Sequence, residues 1–416
     1  MRKLPRIQDY EDKAYNPFTA MKDLGGEGQV RNFYPELARL RACAPIFEGD
    51  LRVHFGLYPD PSHEGHRELS ILGHKEASAI LGDPKRWSNA IYRLNLGIYF
   101  GESVTVMDDP AHSKSRKLFQ KAFMPRMIQQ WGGEIIPRMI NQLIDGFEGS
   151  GSAELINDFT LHFPFHFIHE LLALPDEDRD IFHKLAFGQI ALGFDPEHAM
   201  DAVGKLKGYL TEVVHERRAH PRENDFISMI ATAEVDGERL PDDVVISFFR
   251  QLMNAGGDTS YNGFSSVMCA LLTHPDQFER VKADRALVPK AIEEGLRWNS
   301  PVVTLSRTPL VPVEVAGVTI EPGDYVGVVL SAANRDPAAF PDPDRFDIDR
   351  GSRSHAAFGL GAHICIGQHL ARLEMVTAMN ALLDRLPKLR ADDRHPAPEV
   401  SGFSLRGPQA LHVRFD

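Results

Sequence analysis

Of the three cysteines in this 416-residue chain, Cys43, Cys269 and Cys365, the last stands where its sulfur can do chemistry. It lies in Phe358-Gly359-Leu360-Gly361-Ala362-His363-Ile364-Cys365-Ile366-Gly367, where three glycines permit a tight loop whose backbone N–H groups approach one sulfur. Apolar periodicity predicts a helix from about Ile366, so the thiol sits at a helix N-terminus, where the dipole and N–H donors favour the thiolate. A zinc site is excluded, because no second cysteine lies two to four residues away and His363 cannot complete a tetrahedron. A dinucleotide loop is excluded too, since position 364 is not glycine. What remains is a soft axial metal ligand or a nucleophile, beside the plainer reading of a buried thiol in a turn. Cys43 and Cys269 read as buried thiols without a role.

A second anomaly is Ala255-Gly256-Gly257-Asp258-Thr259-Ser260, set in the middle of a helical pattern. Each glycine costs about 1 kcal/mol against alanine, and the acid and hydroxyls compete with the backbone ladder. Either the helix kinks for packing, or a widened groove admits a small ligand beside Thr259. Glu294 and Arg297 lie three apart on one helical face, a pairing that on a surface contributes only about 0.3–0.5 kcal/mol. His112 and Arg116, four apart at a helix start, set a planar fork that can receive carboxylates or face solvent. The histidines His63 and His66 have the wrong spacing for a zincin, and residues 342–347 put Phe346 where a calcium loop needs oxygen.

Helices must position these groups. Three- and four-residue apolar spacing predicts them over 134–147, 176–190, 196–218 and 225–234. The longest opens at Leu240-Pro241-Asp242-Asp243 and stops at His274-Pro275, roughly 50 Å at about 1.5 Å per residue. Apolar on most faces, it crosses a core. Strands are fewer: 51–55, then 313–315, 318–320 and 325–329 with glycine at the turns. The fold class is mainly α with small β-sheets (α+β), which excludes Rossmann and barrel architectures. No linker, repeat or composition shift divides the chain, so residues 1–416 are expected to form a single domain. A net charge of −12, from 46 basic and 58 acidic residues, excludes nucleic acid as a partner. Scattered cysteines and an N-terminus without an apolar run lead to the expectation of a cytoplasmic protein with no membrane anchor.

The cysteine loop resembles the haem-binding loop of the cytochrome P450 superfamily, in its bacterial type served by a separate ferredoxin. Phenylalanine, glycine, glycine, a basic residue, cysteine and glycine recur there at this spacing, and the resemblance runs from about Asp108 to the C-terminus. It implies the P450 fold, with haem b between the long central helix and the cysteine-loop helix. Cys365 would ligate the iron, Phe358 would pack near it, Gly359 and Gly361 would turn N–H groups to the sulfur, and Gly367 would let the next helix pass close to the porphyrin. Asp258 and Thr259 match the family's acid and alcohol, which handle the two protons needed to cleave dioxygen. Glu294 and Arg297 match its buried structural pair, with Arg345 or Asn334 as a third member. His112, Arg116, Arg307 and His355 would clamp the propionates.

By the same resemblance the substrate would meet Ile91, Tyr92, Tyr99, Phe100, Phe187, Ile190, Leu252, Ala255, Val302, Val303, Leu305, Phe403 and Ser404. Most are apolar, which suits a hydrophobic molecule. The implied activity is a monooxygenase that inserts one atom of dioxygen into an apolar organic substrate. No flavin or nicotinamide motif is present, so electrons would come from a ferredoxin or flavodoxin with its reductase. Lys114, Arg116, Lys117, Lys121 and Arg126 offer a local cationic patch for such a partner. The protein is expected to be a monomer. A peroxide-driven peroxygenase and a non-catalytic haem sensor are the alternatives, and Asp258 with Thr259 favours dioxygen and reductant.

Overall fold

The computed structural model describes residues 4–24, 27–191, 195–235, 237–351 and 354–416. Helices dominate: Ile135–Asp145, Arg179–Gly188, Pro196–Ala219 and Asp242–Thr273 form where the periodicity places them. Two expectations give way to local chemistry. Residues 51–55 are not a strand. Asp50 accepts the N–H groups of Arg52 and Val53 at 2.7 and 3.3 Å, and this cap nucleates a one-turn helix, Leu51–His54. The helix expected to reach residue 234 stops at Ala231, because Glu234–Val235 pairs with Glu238–Arg239 around Gly237, whose φ is 80°.

Contacts cluster into two compact units. The first comprises residues 1–26, 89–129 and 165–257, and the second comprises 27–88, 130–164 and 258–416. The largest sheet lies in the second unit, in the order Ile46–Glu48, Glu68–Ile71, Tyr325–Val329, Thr304–Pro309, Trp87–Ser88. Tyr325–Val329 is buried at every residue, as a central strand with both faces covered should be. It runs parallel to Glu68–Ile71 and antiparallel to Thr304–Pro309, with Val328 opposite Leu305 and Val326 opposite Arg307. That register sets Leu305 and Arg307 on one face of their strand, two residues apart.

The long helix Asp242–Thr273 is continuous through its glycine pair. Packing explains the glycines. A Cβ on Gly257 would run into the Phe165 ring, and one on Gly256 would stand 2.9 Å from Ile168 Cδ1. Both neighbours belong to the helix Phe163–Leu171, which therefore lies close against this stretch of backbone. In the same unit Phe248 stacks on Phe119 at 3.9 Å, tying the long helix to the helix Ala111–Ala122.

Opposite outcomes are expected for two glycine-to-alanine changes. Gly208→Ala, in the helix Pro196–Ala219 with nothing near the added methyl, should raise stability by about 1 kcal/mol. Gly257→Ala should lower it by roughly 1–3 kcal/mol, because displacing a buried ring outweighs the propensity gain. Urea denaturation of the two variants beside the parent checks both signs.

Candidate functional site

The cysteine loop is shaped by two glycines in the left-handed region, Gly359 at φ 70° and Gly361 at φ 71°. Gly361 is required a second time, because a Cβ there would strike the Leu81 carbonyl oxygen. The Cys365 N–H donates to Phe358 O at 2.8 Å and closes the loop on itself, leaving Cys365 exposed. The following helix begins at Gln368 with Gly367 as its N-cap, so the thiol lies just outside the helix rather than within its first turn. A Cβ on Gly367 would meet nothing within 4 Å, so protein packing does not explain that glycine.

Charged groups hold both flanks of the loop, buried on one side and half-buried on the other. Arg297 donates to Glu294 through Nε at 2.7 Å and Nη2 at 2.9 Å, and the two side chains are 2 % and 5 % exposed. A second guanidinium, Arg350, reaches Glu294 Oε1 at 3.0 Å, and the Asp347 N–H reaches the same oxygen at 2.9 Å. Arg297 Nη1 also donates to the Asn334 carbonyl, while Asn334 Oδ1 accepts the Ala356 N–H at 2.7 Å. Ala356 is two residues before Phe358, so the ion pair and the loop share one rigid frame. The ionic third member is Arg350. Asn334 joins through its carbonyl and amide, and Arg345 through its carbonyl, which accepts from Arg297 and Arg350. Removing one partner from such a pair leaves a buried charge uncompensated and costs about 3–5 kcal/mol.

On the other side, Glu293 accepts from Arg372 at 2.6 and 3.0 Å and pairs with His355 Nε2 at 3.1 Å. Burial alone would raise the Glu293 carboxyl, but the His355 and Arg372 hydrogen bonds outweigh it and hold the group down at about 2. The Arg372 guanidinium lies 4.3 Å over the Phe358 ring. His355 Nδ1 accepts the Ala357 N–H at 3.2 Å, so both its ring nitrogens are engaged within the protein. The histidine on the loop itself is His363, half-buried two residues before Cys365. Leu305 lies against Gly359, 3.3 Å from where a Cβ would stand, so the strand face that carries Arg307 is turned towards the cysteine loop. Arg307 is 3 % exposed.

In the first unit His112 and Arg116 share one face of the helix Ala111–Ala122. Burial, and then the Arg116 charge, lowers the His112 pKa and keeps the ring neutral at pH 7. Within the long helix, Asp258 is 3 % exposed and its carbonyl accepts from Asn262 Nδ2 at 2.9 Å. Gln251 and Thr259 are half-buried and Ala255 is exposed, so these positions four apart form an accessible stripe, beside the half-buried Leu252 and Gly256. The Ser260 hydroxyl bonds the Glu374 carboxyl, which burial nevertheless pushes up to about 8. Glu374 is therefore a neutral acid at pH 7.

The apolar candidates separate by burial. Ala255 is exposed, and Tyr99, Ile190, Leu252, Val302 and Leu305 are half-buried. Ile91, Tyr92, Phe100 and Phe187 are buried, while Val303 and Phe403 sit within one core cluster with Phe33 and Tyr34. Ser404 Oγ accepts from Arg52 at 3.1 Å. The remaining thiols differ from expectation in one case. Cys269 is buried and pushed up to about 12 by desolvation, but Cys43 is exposed at the end of its helix. Glu293, Arg350, Arg372 and Glu374 are the site residues that sequence reasoning passed over, together with His363 as a candidate ligand contact. Only His363 carried a signal, as the basic residue of the loop motif.

A single exposed thiol on a preorganised loop suits an iron porphyrin, which brings four nitrogen ligands of its own and asks one soft donor of the protein. Among the described residues no group of three His, Cys, Asp or Glu side chains is placed to hold a bare metal ion. None of their helices is long and apolar enough to cross a membrane.

A sequence model of the family described as Cytochrome P450 matches residues 165–412. The chain is 34 % identical to cytochrome P450 monooxygenase PikC of Streptomyces venezuelae over 412 residues, covering 94 % of each protein. Its fold is similar to cytochrome P450 CYP109Q5 from Chondromyces apiculatus at a TM-score of 0.82 and 32 % identity, covering 92 % of this chain and 95 % of that one. It is also similar to CYP109E1 from Bacillus megaterium in complex with testosterone, at a TM-score of 0.81 and 27 % identity, covering 92 % and 99 %. At that identity over nearly the whole length, the chain belongs to the cytochrome P450 family, whose members bind haem through a cysteine thiolate.

Proposed function

We propose that this cytochrome P450 hydroxylates an apolar organic substrate with electrons from a separate ferredoxin or flavodoxin, and that residues 1–416 work as one catalytic domain. The observation that carries the reading is the exposed Cys365 thiol on a loop braced on one flank by a buried ion pair and on the other by a half-buried one. Cys365 would ligate the iron, and Arg307 with His112 and Arg116 would hold the propionates. His355 serves instead as a positioning residue, because Glu293 and the Ala357 N–H already occupy its ring. Held by Cys365, haem would supply the capacity to activate dioxygen, with the cysteine sulfur as the electron-donating ligand.

The chain's own residues then govern protons and water. The Thr259 hydroxyl, on the accessible stripe, offers a hydrogen bond to a small ligand, and the buried Asp258 on the next position feeds protons towards it. Glu374, protonated below a pH of about 8, holds a further proton beside Ser260. Half-buried apolar groups such as Leu252, Ile190 and Tyr99 would face the substrate. The testosterone complex of CYP109E1 supports an apolar molecule of some size.

For the redox partner, Lys117, Lys121 and Arg126 are exposed cations, whereas Lys114 already pairs with Glu238 at 2.6 Å. Against a net charge of −12 they would steer an acidic protein.

Three measurements test these assignments. Cys365→Ser should abolish the red-shifted ferrous carbon monoxide band that a thiolate ligand produces, and a retained band overturns the ligand. Thr259→Ala should keep haem and reduction but release most reducing equivalents as hydrogen peroxide; hydroxylation that stays tightly coupled overturns the role of the alcohol. Lys117→Glu/Lys121→Glu should slow reduction by an acidic ferredoxin about tenfold or more at low salt, with the gap closing as salt rises. Unchanged reduction kinetics overturn the docking surface.

A further inference from the structure

Arg250 lies on the long helix with its side chain 3 % exposed. Among the described residues, neither its Nε nor its Nη2 has a hydrogen-bond partner, and both atoms are buried. Among the described residues burial is what perturbs it, lowering its pKa to about 10. At neutral pH it is still a cation. A buried cation without an anion is costly, and arginine cannot shed its proton at pH 7 to escape.

A second unmet group lies on a residue that bonds the Arg250 backbone. Gln189 is fully buried just after the helix Arg179–Gly188, and its Nε2 donates to the Arg250 carbonyl at 3.2 Å and to Asn254 Oδ1 at 2.5 Å. Asn254 Nδ2 in turn donates to Ala186 O at 2.6 Å. This chain fixes the orientation of both amides, since flipping either would set oxygen against oxygen. Among the described residues, it leaves Gln189 Oε1 buried without a donor. Two donors and one acceptor are thus gathered, unmet, on residues that all belong to the first unit.

We infer that Arg250 anchors the carboxylate of an apolar carboxylic acid substrate, with Gln189 Oε1 accepting from a hydroxyl or bridging water beside it. The inference rests on the monooxygenase reading and narrows its substrate class. A planar guanidinium fork matches a carboxylate, and one isolated positive charge balances one negative charge, where a phosphate dianion would bring an uncompensated second.

The test uses the haem-loaded protein and spin-state titrations with dodecanoic acid, abietic acid and the methyl ester of each. At least one acid should bind about tenfold or more tightly than its ester, the range of a charged hydrogen bond. Arg250→Met should reduce that preference to about twofold or less, and Arg250→Lys should restore part of it. Esters that bind as well as both acids, or a preference that survives in Arg250→Met, overturn the inference. The ligand-free melting temperature gives a readout of opposite sign. A binding arginine without a partner should leave Arg250→Met as stable as the parent or more so. A fall in melting temperature with an unchanged acid preference would mark a structural arginine and overturn the inference. A thiolate-type carbon monoxide spectrum with spin shifts from the esters alone sinks the carboxylate anchor and leaves the monooxygenase standing. Absence of that spectrum in the parent protein sinks both.

Discussion

The buried Glu294–Arg297 pair is the interaction on which the thiol loop depends. Alone, a glutamate and an arginine three residues apart on the helix Val288–Trp298 would be a surface ornament. Here the pair is withdrawn from water, and the carboxylate accepts from two guanidiniums and one backbone N–H at once. Its remaining donors reach backbone carbonyls across residues 334–345. The arrangement converts a loop with little regular structure into one whose approach is fixed by groups that cannot be released singly without stranding a charge. Glu293, the preceding residue, faces another direction and does the same for Phe358 through Arg372 and His355. Two adjacent acids on one helix thus brace both sides of a single sulfur.

This explains which parts of the site could be read from the sequence. The cysteine loop was legible because its meaning is local: glycines at positive φ, a sulfur and a helix start fall within about ten residues. The long helix and the strand series at 313–329 were legible because periodicity and turn residues are local too. Arg350 and Arg372 were not, since they meet their acids across 56 and 79 residues, and no spacing rule connects such positions. His355 drew attention by its place near Phe358, and only the fold reveals that Glu293 and the Ala357 N–H occupy it. The strand expected at 51–55 failed for the converse reason. Its alternation was genuine, but the Asp50 side chain satisfies two N–H groups directly, and a capped turn wins over a weak pattern.

The glycine pair shows how one feature serves packing and chemistry without a kink. The helix stays regular because Phe165 and Ile168 fill the space that side chains would take. The neighbouring accessible stripe, through Gln251, Ala255 and Thr259, is the face those contacts leave uncovered. Sequence alone sets packing against a ligand groove as rivals, whereas positions on different sides of one helix allow both.

Two buried ionisable groups on or beside this helix meet desolvation in opposite ways. Glu374 can take a proton, and does: its carboxyl is neutral up to about pH 8 and bonds the Ser260 hydroxyl. Arg250 has no such exit, because even a pKa lowered to about 10 leaves it charged under any physiological condition. A buried acid can therefore stay neutral without an external partner, while a lone buried arginine persists only at a standing cost in stability. A residue that costs stability in the free protein and is still kept charged is accounted for by what it binds, and the ligand's chemistry follows from what the site lacks: one planar negative charge, and one donor for Gln189 Oε1.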